Sequence, residues 1–280
     1  MVKITKPTDS PKKVFETCIS NFRDEVFKSK LESISSYIDS EANTYNIQAS
    51  SNNLSSIAQI LNVNGIITVD EMKKVYEQKF VKKGQPGRKY YEKLRLSAKN
   101  NICPLCNQRT VTTLDHVLPK TLYPTFAVTP FNLIPACADC NKIKDTYKPT
   151  TTEEEILHPY YDDISSIQYL YANINEETPP SINFYIESSN PKTLIEKRLQ
   201  KHFDLFELNK LYTSNAAEEL ANIQLRLNKL YESGGYTNVK EYLKEEFDSR
   251  YANNKNSWQA AMYKTLSESE WFCNGGFKIE

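Results

Sequence analysis

The sequence of 280 residues lacks a net charge, because 35 lysine and arginine residues balance 35 aspartate and glutamate residues. Such a chain has no general attraction to phosphate, so contact with nucleic acid would have to come from a local basic patch. The chain also lacks an uninterrupted apolar run of about 18 residues and, at its start, the apolar core of a secretory signal. We therefore expect a cytoplasmic protein with no membrane partner.

Cysteines are not spread along the chain, as they would be in a secreted protein held by disulfides. Four of the six lie in two Cys-x-x-Cys pairs separated by 30 residues: Cys103, Cys106, Cys137 and Cys140. Four thiolates at this spacing can close on one Zn²⁺ in tetrahedral geometry and leave no open position, so we predict a structural zinc site. The alternatives are a redox dithiol or unrelated cysteines.

The insert between the two cysteine pairs carries polar side chains at the ends of its predicted elements. Residues 110–114 read as a strand that ends at Asp115 and His116, a loop follows at Pro119 and Lys120, and residues 137–144 read as a helix. This order predicts that a carboxylate, an imidazole and side-chain amides come together in the segment that the two cysteine pairs enclose.

These residue types match what phosphodiester hydrolysis requires, namely a base to deprotonate water and a cation to neutralise charge on the phosphate. His116 is the candidate base, because imidazole is largely neutral near pH 7. Asp115 and Asn141 offer the hard oxygen ligands that suit Mg²⁺ or Mn²⁺. The alternative is that Asp115 only orients a buried histidine and that Asn132 only caps the turn at Pro130.

This pattern resembles the HNH endonucleases, the ββα-metal nucleases, in their zinc-stapled form. The matching residues are Asp115-His116, Asn132-Leu133, and Cys140-Asn141 with the lysines that follow. The resemblance covers roughly 45 residues and implies that Asp115 and Asn141 hold one catalytic metal ion, with His116 as the base. It implies that Asn132 fixes the loop that aims His116. The last position is often histidine in the family and is Asn141 here.

Basic residues are concentrated just before the first cysteine pair, where ten lysines and arginines face two acids between residues 73 and 99. This run could contact a nucleic-acid substrate or could be an ordinary solvated helix face. The predicted nucleic-acid contacts, taken from this run, the loop and the helix at residues 137–144, are Arg88, Lys89, Lys120, Lys142 and Lys144.

A second resemblance concerns residues 157–162 and the flanking helices, which look like the HNH subunit of Septu-type antiphage defence systems. That subunit works with an ABC-type ATPase, so the resemblance implies an antiviral role and an ATPase partner that gates the nuclease. The balanced charge agrees with gating, because an unregulated nuclease gains from a basic surface. The competing hypothesis is a zinc-stabilised module that binds nucleic acid or a partner without cutting.

We predict a mainly α protein with helical domains around a small zinc-stapled ββα-metal core. The predicted domains are residues 1–99, with the basic helices, residues 100–147, with the nuclease core, and the helical residues 148–280. Residues 1–10 read as a loose arm and residues 12–45 as one helix or a broken pair. Thr68 and Glu71 have the spacing of a capping box that opens a helix. Near the end, residues 181–187 read as a strand, Pro191 as a helix start, and Gly234-Gly235 as a helix end.

Overall fold

The computed structural model describes residues 1–187, 189 and 192–278, and over these the chain is mainly helical. It has two compact units, Met1–Ser165 and Ser166–Glu280. No helix within the described residues is both long and apolar enough to cross a membrane. The helix start predicted at Pro191 lies outside the described residues.

The first unit opens with three helices where the sequence predicted one or a broken pair: α1 Pro11–Ile19, α2 Glu25–Ser33 and α3 Ser35–Ser50. Side-chain N-caps mark the starts of α1 and α2. The Ser10 hydroxyl accepts from the Lys13 amide at 3.3 Å, and the Asp24 carboxylate accepts from the Phe27 amide at 3.0 Å. These caps satisfy amides that have no partner inside the helix, so each cap fixes where a helix begins.

The capping box at Thr68 and Glu71 is confirmed, because each side chain accepts from the other residue's backbone amide. It follows a short ladder of β1 Asn62–Val63 and β2 Ile67–Thr68, and it opens α4 Val69–Lys74, which continues as a π-helix over Val75–Val81. The next helix, α5, spans Arg88–Arg95.

A two-stranded antiparallel hairpin follows, formed by β3 Thr113–His116 and β4 Leu133–Ala136. Helix α6, Ala138–Lys144, comes directly after it, with Cys137 as its N-cap. The predicted strand therefore starts three residues later than expected and includes the Asp-His pair. Its partner strand β4 was not predicted, because Pro135 interrupts a short apolar stretch that has no alternation.

The hairpin packs against the apolar core of the first unit. Leu114 and Leu133 belong to the same buried cluster as Phe15 of α1 and Phe80 of the π-helix. Residues 1–10 are not a loose arm, because the Val2 amide donates to the Pro104 carbonyl at 2.8 Å and the Ile4 amide to the Pro159 carbonyl at 2.9 Å. The polar sequence of this segment gave no sign of these backbone pairings.

The second unit pairs the antiparallel strands β5 Leu170–Asn175 and β6 Ser181–Ile186 beside three helices: α7 Leu194–Leu205, α8 Leu208–Asn253 and α9 Trp258–Glu268. Strand β6 was predicted and β5 was not. The helix end predicted at Gly234-Gly235 is confirmed, because the run labelled α8 consists of two helices that meet at a break there. Gly235 has non-helical backbone angles, with φ 60° and ψ −145°, and a second helical stretch follows to Asn253. Glycine tolerates the positive φ because it has no Cβ.

Candidate metal centre and adjoining cleft

Four buried cysteines meet where the hairpin joins α6: Cys103, Cys106, Cys137 and Cys140. Their sulfur atoms all lie within 4.8 Å of one another, and those of Cys106 and Cys137 are 4.0 Å apart. A tetrahedral Zn²⁺ with Zn–S bonds of about 2.3 Å places its sulfur ligands roughly 3.8 Å apart. The four thiols therefore fit one zinc ion, and they are too far apart for disulfide bonds.

Backbone amides around the cysteines support this arrangement. The amides of Arg109 and Cys140 point at the sulfur atoms of Cys106 and Cys137, at 3.5 and 3.4 Å. Such bonds stabilise thiolates, which are the form that binds metal. The Arg109 side chain, which follows the first cysteine pair, also contacts the carboxylate of Asp139 in the second pair at 2.8 Å.

A cleft of about 440 Å³ opens beside the cysteine cluster, between β3, the loop after it and α6. It is lined by five of the predicted site residues: Asp115, His116, Lys120, Asn141 and Lys142. Strand β3 supplies the carboxylate and the imidazole, and α6 supplies the amide. The structure thus brings together groups that are 25 residues apart in the sequence.

The ring orientation of His116 is defined by its hydrogen bond. Its Nε2 atom lies 2.9 Å from the Ala127 carbonyl oxygen. A carbonyl can only accept, so Nε2 carries the hydrogen and, in the neutral ring, Nδ1 holds an unshared electron pair. Burial lowers the pKa of His116 to about 3. The ring is therefore neutral at physiological pH, with Nδ1 as its unprotonated nitrogen.

Asp115 forms a buried ion pair that the sequence analysis did not predict. The Lys144 ammonium lies 3.4 Å from Asp115 Oδ2 and donates to the His116 carbonyl at 2.6 Å. Burial raises the pKa of Asp115, and the Lys144 charge offsets part of that rise. Oδ2 accepts no hydrogen bond from the described residues, so it keeps electron pairs that a cation could use.

Asn132 lies behind the cleft, fully buried, and ties the loop after β3 to the chain before β4. Its Oδ1 accepts from the Leu118 amide at 2.7 Å, and its Nδ2 donates to the carbonyls of Leu118 and Phe126 at 3.0 and 3.3 Å. Phe126 is next to Ala127, whose carbonyl holds His116. Asn132 thus fixes the loop that orients the imidazole.

The predicted nucleic-acid contacts lie in different surroundings. Lys120 and Lys142 line the cleft. Lys144 does not lie on the surface as that prediction requires, because it is 1% exposed and paired with Asp115. Arg88 bonds to Glu92 and to the Val81 carbonyl, while Lys89 is exposed beside the Tyr90 ring. Neither Arg88 nor Lys89 is among the residues that line the cleft.

Tyr76 does not line the cleft but contacts its imidazole from behind, a contact that the sequence pattern did not predict. It comes from the π-helix, and its ring packs edge-on against the His116 ring with centroids 4.6 Å apart. The Lys120 ammonium lies 5.2 Å from the same ring. π-Helical turns often occur at functional sites, but nothing in the local sequence distinguishes this one from an ordinary helix.

The segment 157–162 forms a buried turn that supports the hairpin. His158 Nδ1 accepts from the Tyr160 amide at 3.2 Å, so Nε2 carries the hydrogen and donates to the Tyr45 hydroxyl at 3.1 Å. The Tyr160 hydroxyl donates to the Leu133 carbonyl at 2.7 Å. Because Leu133 pairs with His116 across the hairpin, this turn holds the strand that faces the site.

The fold and the site define a mainly helical protein with a four-cysteine, zinc-type cluster beside an Asp-His cleft. Protein ea31 of Escherichia phage lambda is 33% identical to this chain over 230 residues, which are 76% of this chain and 77% of ea31. The chain therefore belongs to the ea31 family.

A second relative matches over a shorter stretch. The Septu protein PtuB of Bacillus thuringiensis is 33% identical over 92 residues, or 30% of this chain and 35% of PtuB. The match to PtuB thus covers about a third of that protein. No known family profile and no solved structure matches the chain.

Proposed function

We propose that this protein is a metal-dependent endonuclease of the HNH type, which hydrolyses phosphodiester bonds in nucleic acid. The observation that carries the proposal is the cleft itself. It gathers a carboxylate, a neutral imidazole with an unprotonated Nδ1, and an amide beside a cluster fit for structural zinc. The hairpin followed by α6 is the element order that an HNH core would have.

In this proposal His116 takes a proton from water through Nδ1, since Nε2 is held by the Ala127 carbonyl. Asp115 and Asn141 would hold one Mg²⁺ or Mn²⁺ ion, which suits their oxygen atoms and would neutralise charge on the scissile phosphate. Lys144 neutralises the same carboxylate, so metal binding requires its ammonium to share or release Asp115.

The positive side chains on the cleft wall, Lys120 and Lys142, would hold phosphates of the substrate. Arg88 and Lys89 stay candidates for more distant contacts, of which Lys89 is the more exposed. Contacts of this kind are electrostatic, so substrate binding should weaken as the salt concentration rises.

The test is cleavage of labelled DNA and RNA by the purified protein with Mg²⁺, Mn²⁺ or a chelator. Asn141→Ala should abolish metal-dependent cleavage, because it removes an oxygen ligand from the cleft wall. Asn173→Ala makes the same change at an exposed position of the second unit and should cleave like the unmodified protein. Equal cleavage by Asn141→Ala would refute the assignment of that residue.

We further propose that the nuclease serves antiphage defence with an ATPase partner. The similarity to the Septu protein PtuB and the balanced charge of the chain support this role. Co-expression with the products of neighbouring reading frames should yield a complex that contains an ATPase and cleaves faster than the isolated protein. Full activity of an isolated protein that retains no partner would contradict gating.

One observation favours the competing function, a binding module without catalysis. Lys144 forms an ion pair with Asp115, the carboxylate that the metal ion would need. If this ion pair persists in solution, the protein should bind nucleic acid unchanged by Mg²⁺ or Mn²⁺ and show no cleavage with any partner. Binding that survives in both Asp115→Ala and His116→Ala, with no cleavage by the unmodified protein at any concentration, would support that function.

A further inference from the structure

The second unit contains a cavity of its own, with a volume of about 310 Å³. It lies between the β5–β6 hairpin, the end of α8 and one face of α9. Ligand pockets in proteins range from about 300 to 1,000 Å³, so this one suits a single ring system better than a large cofactor. Neither the zinc cluster nor the proposed nuclease residues take part in it.

Aromatic side chains form much of the cavity wall. Tyr171 and Tyr185 are cross-strand partners whose rings stack with centroids 6.0 Å apart and an interplanar angle of 26°. Opposite them on α8, Phe247 and Tyr251 pack with centroids 5.2 Å apart. Tyr185 and Tyr251 are 43% and 41% exposed. Exposed rings beside a cavity provide faces on which a planar ligand can stack.

Charged groups surround these rings. The Lys264 ammonium lies 5.7 Å from the centre of the Tyr171 ring, and the Lys255 ammonium donates to the Ser166 carbonyl at 3.2 Å. One acid, Glu268, also lines the cavity. Two ammonium groups beside stacking surfaces can bind a ligand that is both aromatic and anionic.

Gln168 adds an oriented hydrogen-bond acceptor to the cavity wall. Its Nε2 group donates to two carbonyls, those of Leu170 at 3.1 Å and Lys255 at 3.2 Å. Because carbonyls only accept, the amide cannot be flipped, and Oε1 stays an acceptor. Oε1 is buried and has no partner among the described residues, so a ligand N–H group could satisfy it.

We propose that this cavity is a second nucleotide-binding site, which takes a nucleobase with an exocyclic amine and its attached phosphate. The base stacks on the tyrosines, its amine donates to Gln168 Oε1, and Lys264 with Lys255 holds the phosphate. Either a free nucleotide or one unit of a single strand has this chemistry. The site does not depend on the proposed nuclease reaction.

The test is calorimetric titration of the full-length protein with AMP, CMP and a five-nucleotide oligodeoxynucleotide of adenine and cytosine. Tyr185→Ala and Lys264→Gln should each weaken binding about fivefold or more, the lower range for loss of a stacked base. Lys240→Gln is the matched control. Lys240 also lies over a tyrosine ring, that of Tyr236 at 5.2 Å, but away from the cavity.

Binding of AMP or CMP that is reduced by both cavity variants and unchanged in Lys240→Gln would establish a free-nucleotide site. The same pattern for the oligonucleotide alone would assign the cavity to a strand. Absence of binding by all three probes, or equal binding by all variants, would overturn the proposal. His116→Ala should bind as the unmodified protein does, so failure of the nuclease proposal would leave this result unaffected.

Discussion

Replacement of Asn132 by alanine should destabilise the first unit without touching the chemistry of the cleft directly. The side chain is fully buried and makes three hydrogen bonds, one from the Leu118 amide and two to the carbonyls of Leu118 and Phe126. Alanine removes the partners of the Leu118 amide and carbonyl, while the Phe126 carbonyl keeps its bond from the Thr129 amide at 3.2 Å. Each such loss costs about 1–3 kcal/mol.

We expect the free energy of unfolding to fall by about 2–4 kcal/mol in Asn132→Ala, in the lower part of the summed cost of two lost partners, because the loop relaxes in part. Domains are commonly stable by about 5–15 kcal/mol, so the variant should still fold. Asn132→Asp should lower the free energy of unfolding at least as much, because it replaces the amide group that donates to two carbonyls by a carboxylate oxygen, which can only accept.

Urea unfolding measures this change when it is detected through hydrogen exchange of the β3 amides, because these amides report on the first unit alone. Asn141→Ala is the control, since Asn141 is only half-buried on the cleft wall. It should change the free energy of unfolding by about 0.5 kcal/mol or less. A loss below about 1 kcal/mol in Asn132→Ala, or equal losses in the two variants, would refute the argument that Asn132 supports the loop.

Three further predictions concern the metal centre and the cleft. Cys103→Ser should lose the bound zinc, measured by elemental analysis, whereas Cys18→Ser, a buried cysteine outside the cluster, should retain one equivalent. Tyr76→Ala should reduce cleavage at least tenfold by releasing the imidazole it packs against, while Tyr76→Phe keeps the ring and most of the rate. Lys144→Met should lower the free energy of unfolding by about 3–5 kcal/mol, because it strands a buried carboxylate, and adding Asp115→Asn should restore much of that loss.

The sequence predicted those parts of the site that depend on short-range spacing. Each Cys-x-x-Cys pair brings its two sulfur atoms close because only two residues separate the cysteines, and in the structure all four sulfur atoms lie together. Asp115 and His116 end one strand and Asn141 lies one turn into α6, so their order along the chain was enough to place them near each other.

Other contacts could not be predicted because they cross long stretches of chain. Tyr76 reaches His116 from a π-helix 40 residues earlier, and the Tyr160 hydroxyl reaches the Leu133 carbonyl from 27 residues later. Neither contact has a periodic signal. Lys144 is different. It follows Asn141 by three residues, which puts both on one face of α6, so its inward position could have been inferred from helical spacing.

The most direct test of the central claim is single-turnover cleavage of labelled nucleic acid by the unmodified protein and by His116→Ala, each with Mn²⁺ and with matched zinc content. If Nδ1 of His116 is the base, the variant should lose activity by a factor of about 100 or more while binding substrate equally well. Equal cleavage rates, or no cleavage by the unmodified protein with any metal or partner, would contradict the account.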